Sequence, residues 1–106
     1  MANIDFTKIE EDIGDLAKKL FKDFVNQAKG DGKQFVDDNK KAFVRRTEQF
    51  KNGEISEANY KNGLLNLLAL AKMERLKQEG LAQVEIDKFT GGVIDILIDA
   101  GLRATP

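Results

Sequence analysis

The sequence predicts an all-α protein, folded either as a long antiparallel helical hairpin or as a closed four-helix bundle. Three observations carry this prediction. Apolar residues recur every three or four positions along most of the 106 residues, the spacing that lines one face of a helix. The sole proline is Pro106, the last residue, so nothing inside the chain removes a backbone donor. The strongest break, Asn52-Gly53, lies near the middle and divides one domain, residues 1–106, into two nearly equal arms.

The first stripe is Phe6, Ile9, Ile13, Leu16, Leu20, Phe24 and Ala28, with Lys8, Asp12, Asp15, Lys19, Lys22 and Asp23 largely opposite. Asp5 is a candidate cap, with Ile4 and Ile9 as its hydrophobic staple; Thr7 with Glu10 is an alternative capping box. Asp15 and Lys19 have the favourable acid-first order, worth about 0.2–0.5 kcal/mol. Gly30-Asp31-Gly32 is the next candidate break, since each Gly costs about 1 kcal/mol against Ala in a helix. Asp31 could cap a fresh helix there, with Gln34 three residues on. Against a break, Phe24-Val25 and Phe35-Val36 keep to one face of an uninterrupted helix, with Phe43-Val44 and Phe50 beyond.

After Gly53, Ser56 is placed to cap a new helix, with Ile55 and Tyr60 at the staple positions. Leu64 to Leu76 is apolar almost all round, the pattern of a helix buried on several sides. Asn66 inside it is either a register-fixing buried polar group or the wet edge of that helix. Gly80 reads as a helix stop, with Leu76 and Leu81 at the contact positions of a Schellman motif. The last segment repeats the helical spacing through Ala82, Ile86, Phe89, Val93, Ile96, Leu97 and Ala100. Gly91-Gly92 weakens it, and the β-branched run at 93–98 makes a short strand the competing reading. Gly101, with Leu97 and Leu102, suggests a second Schellman stop.

Tyr60-x-x-Gly63-Leu64-Leu65-Asn66-Leu67-Leu68-x-x-Ala71 also echoes Phe89-x-x-Gly92-Val93-Ile94-Asp95-Ile96-Leu97-x-x-Ala100. A glycine three residues after an aromatic leaves room for a close neighbour. Chance alignment of two amphipathic helices gives the same pattern.

The two arms fold back at Gly53, bringing the Gly30–Gly32 and Gly80 breaks to similar levels. Uninterrupted arms of roughly 45 residues would be about 70 Å long and would expose their stripes unless paired with another copy. Shorter helices would instead close one bundle.

Composition narrows the chemistry. Seventeen Lys and Arg against eighteen Asp and Glu give a net charge of −1, which argues against nucleic acid. Without Cys or His the chain has no thiolate nucleophile and lacks the commonest general base and transition-metal ligand. Ser56, the only Ser, has no such group to activate it. Aligned as a calcium loop on Gly53, the turn puts Phe50 and Asn59 where oxygen ligands and a bidentate Glu belong, so a capping turn explains it better. Gly30-Asp31-Gly32-Lys33 lacks the spacing of a phosphate-binding loop. Asp95 and Asp99 share a helical face; buried together they would form a carboxylate dyad, and exposed they are a solvated stripe. Lys40, Lys41, Arg45 and Arg46 cluster around Phe43 and Val44, yet Asp37 and Asp38 lie one turn away and Asp37–Lys41 is another acid-first pair.

The expected function is therefore non-enzymatic, without cofactor or metal: a helical interaction protein that self-associates as a homodimer or binds other helices. Its expected anchors are Phe24, Phe35, Phe43, Phe50, Tyr60, Leu64, Leu68 and Phe89, with the rest of the Leu64–Leu76 ridge. The alternative is an amphipathic coat on a lipid surface, favoured by long Pro-free arms and opposed by near-neutral charge and the absence of Trp. The expected location is the cytoplasm, since no signal-like segment opens the chain and its longest apolar run is far shorter than a membrane span.

Overall fold

Two helices of this protein begin where the N-cap side chain replaces a missing carbonyl partner. The computed structural model describes residues 3–105. Asp5 accepts from the Lys8 N–H at 3.0 Å and opens α1, Phe6–Leu20. Ser56 does the same for Asn59 at 3.0 Å and opens α3, Glu57–Leu65. Between them runs α2, Val25–Lys51, which ends at Asn52 before Gly53 turns the chain at φ +78°. Beyond α3 come a 3-10 turn, Asn66–Leu70, the short α4, Glu74–Gln78, and α5, Gln83–Arg103. Asn3 and Thr105 form an isolated antiparallel bridge, with Asn3 N donating to Thr105 O at 2.8 Å.

The result is an all-α helical bundle. At about 1.5 Å per residue, the 27 residues of α2 account for its 42 Å long axis. Helix α5 packs against α1, α2, α3 and α4. One connected core forms around Ile9, Phe43, Tyr60, Leu64, Leu76, Phe89, Ile94 and Leu97, all essentially inaccessible to water.

Several boundaries differ from the sequence reading. The first stripe does not continue into Phe24 and Ala28 on one helix: the chain breaks at Phe21–Phe24, and Gly30–Gly32 lies inside an uninterrupted α2. Burial decides this. Phe21 turns inward to meet Phe89 edge-on at 5.7 Å, leaving Leu20 exposed. Gly32 serves close packing, because a Cβ there would sit 2.7 Å from Ile13 Cγ2 and 3.2 Å from Phe89 Cζ.

Nor is Leu64–Leu76 one buried helix. It breaks into α3, the 3-10 turn and α4, with Met73 in the left-handed region at φ 47°. Such a backbone costs about 1–3 kcal/mol in a non-glycine residue. Burial of the Met73 side chain and a cap supplied from α2 offset it. Asp31, itself buried, accepts from the Arg75 N–H at 3.2 Å and the Leu76 N–H at 2.9 Å. Asp31 therefore caps a helix, but α4 rather than the helix it sits in.

Gly80 stops α4 as expected, at φ +77°. Residues 93–98 are helical, Gly91-Gly92 lies within α5, and α5 runs through Gly101 instead of stopping there. Gly101 is a packing site: a Cβ on it would overlap the Tyr60 hydroxyl. The paired glycines of the internal echo are packing sites as well. Arg46 occupies the space beside Gly63, and Leu16 Cδ2 would lie 2.6 Å from a Cβ on Gly92.

Candidate functional site

Five of the eight expected anchors lie in the core of a single chain: Phe35, Phe43, Tyr60, Leu64 and Phe89 are buried. Phe24 and Phe50 are partly buried against that core, and Phe50 stacks on Tyr60 at 4.9 Å. Leu68 is the one anchor open to solvent. Aromatic spacing identified the residues that hold the chain together, because a core face and a docking face have the same period.

Besides the separate Leu20 and Val84, the exposed large apolar residues lie on the segment that breaks the second arm. Leu65, Leu68 and Leu70 are 43%, 40% and 59% exposed. A 3-10 turn advances three residues per turn instead of 3.6. The apolar residues there consequently lose register with the core, and only Leu67 stays buried.

Beside this ridge a groove of about 340 Å³ opens between residues 68–77 and the first half of α5. Its floor is the buried Met73, Ile86 and Thr90, and the Thr90 hydroxyl donates to Ile86 O at 2.9 Å. That leaves the floor with no unmet hydroxyl and a largely apolar character. One wall carries Leu68, Ala71, Lys72 and Lys77; the other carries Gln83, Asp87 and Gly91. Asp87 accepts from Gln83 Nε2 at 2.8 Å, which keeps its carboxylate at the rim.

The remaining singled-out residues are surface or structural. Asp95 and Asp99 are exposed, and Asp99 pairs with Arg103 at 2.9 Å, so they are a solvated stripe and not a buried dyad. Asn66 is exposed at the end of α3 and fixes no buried register. In the basic cluster, Lys40 lies over the Phe6 ring at 4.5 Å, while Lys41 and Arg45 face solvent. Arg46 donates to the backbone and side-chain oxygens of Asn59, both at 2.9 Å, and its buried Nε has no partner. It is a clamp across the α2–α3 turn.

The helix-surface ion pairs formed are Lys8–Asp12, Glu57–Lys61 and Asp99–Arg103. Among the described residues the expected Asp15–Lys19 and Asp37–Lys41 pairs do not close to 4 Å. A second cavity, of about 270 Å³, lies where the two ends of the chain meet and is lined by Asp5, Lys8, Asp12, Asp99 and Arg103. Its charges largely satisfy one another, and the hydrogen bond that Lys8 donates to Asp12 pushes its amine above its usual range.

Among the described residues no group of three or more Asp and Glu is arranged to hold a metal ion, and no helix is long and apolar enough to cross a membrane. Compared with protein-family models, curated proteins and solved structures, the chain gave no match.

Proposed function

We propose that this chain is a non-enzymatic interaction protein that works through an apolar helical surface, and that its partner is a second copy of itself. The observation that carries the reading is the exposed leucines of one short segment, Leu65, Leu68 and Leu70, of which Leu68 lines an apolar-floored groove. Single exposed leucines are ordinary on protein surfaces, but several on one short segment, with one of them lining a concavity, are the composition of a docking site. The expected docking surface is thus this ridge and groove in place of the aromatic stripe, which the chain uses to fold.

A reversible coat on lipid is the second reading, favoured by Leu68 sharing its groove with the exposed Lys72 and Lys77. Light scattering at several protein concentrations tests the first reading. A mass rising from one chain to two is expected, and a single-chain mass at every concentration overturns it. Co-flotation with vesicles by a chain that stays monomeric would establish the coat instead.

A further inference from the structure

The groove between residues 68–77 and α5 has walls of opposite charge. Lys72 and Lys77 stand exposed on one wall and Asp87 stands exposed on the other. We propose that the second copy docks in this groove, about a two-fold axis that runs along it, so that the lysine wall of each copy faces the Asp87 wall of the other. This rests on the self-association reading above and gives that association its address and its geometry.

The axis follows from symmetry. In a two-fold dimer each copy presents the same patch, and the axis lies in the interface. An axis along the groove carries each wall across to the opposite wall of the second copy. An axis crossing the groove would set lysines against lysines, and like-charge juxtaposition is strongly disfavoured.

The turn at Gly80 places Lys77 and Gln83 toward one end of the groove and Leu68 and Gly91 toward the other, with Lys72 and Asp87 between them on opposite walls. Leu68 of each copy then meets Gly91 of the other. A Cβ on Gly91 would meet nothing within 4 Å in its own chain, so that space is open to an incoming side chain. An anionic lipid surface would satisfy the lysines and repel Asp87, whereas walls of mixed sign match a partner of the same mixture.

Equilibrium sedimentation of the full chain tests this with four variants: Gly91→Gln, Lys72→Asp, Asp87→Lys, and the last two combined. A Cβ at position 91 meets nothing in its own chain and Gln favours helix over Gly, so the fold is kept, as circular dichroism would verify. It also fills the space that Leu68 enters, and association should weaken by about tenfold or more. Each charge reversal alone should weaken association by about tenfold, and the combination should recover most of it. A dimer indifferent to Gly91→Gln, or no stronger in the combined variant than in either single one, overturns the groove assignment and leaves self-association standing. A monomer at every concentration overturns both. Flotation with phosphatidylglycerol vesicles by a monomeric chain overturns both in favour of lipid.

Discussion

The Tyr60 hydroxyl lies 2.6 Å from the Thr47 hydroxyl, with both side chains fully buried. Thr47 gives its own proton to Phe43 O at 2.8 Å, which leaves Tyr60 as the donor of the pair. The bond joins α3 to α2, and the same hydroxyl fills the space beside Gly101 on α5. Three helices are thus registered through one phenol.

Burial raises the pKa of Tyr60 above its ordinary value of 10.0. The folded chain then holds this proton more tightly than the unfolded chain does. Its contribution to stability is complete below about pH 10 and is lost as pH rises through the higher folded value. Tyr60→Phe should cost about 1 kcal/mol at neutral pH, and its deficit against the natural chain should shrink above about pH 10. Tyr60 is the only tyrosine, so tyrosinate absorbance reads its titration directly. A midpoint at the ordinary value would contradict its burial.

One substitution should have opposite signs at two glycines of α5. Gly91→Ala places a methyl group in open space and should stabilise by up to about 1 kcal/mol. Gly101→Ala makes the same helical gain but drives its methyl into Tyr60, an overlap costing about 1–3 kcal/mol. Urea unfolding at low protein concentration should raise the first midpoint and lower the second.

Asp31 and Arg75 form an ion pair whose partners are unequal. The Asp31 side chain is 2% exposed and that of Arg75 is 50% exposed, at 3.2 Å. Removing the guanidinium with Arg75→Ala should cost less than about 1 kcal/mol, because water screens it. Asp31→Ala strips two backbone N–H groups of their acceptor and should cost about 2–3 kcal/mol. Hydrogen exchange should accelerate at Arg75 and Leu76 in the Asp31 variant and change little in the Arg75 variant.

The double variant Asp95→Asn, Asp99→Asn should leave stability within about 0.5 kcal/mol of the natural chain, since it removes only the exposed Asp99–Arg103 pair. A marked rise in melting temperature would mean that the two carboxylates crowd each other.

The amino-acid sequence determined the all-α class, the reversal at Asn52-Gly53, the caps Asp5 and Ser56, and the stop at Gly80. Each of these is a local matter of spacing, side-chain reach or glycine dihedral freedom, complete within a few residues of chain. The residues of the core were legible for the same reason. Their role was not, because the period that identifies a buried face is silent on whether the neighbour belongs to the same chain.

Only the tertiary structure decided that α1 ends at Leu20, that Gly30–Gly32 lies within a helix, and that the Leu64–Leu76 run breaks and exposes its leucines. Those outcomes turn on partners far away in sequence. Phe89 draws Phe21 inward, Ile13 and Phe89 crowd Gly32, and Asp31 reaches more than forty positions along the chain to cap α4. Propensity is worth about 1 kcal/mol at a glycine, and burying an aromatic ring is worth more, so distant packing overrode the local preference.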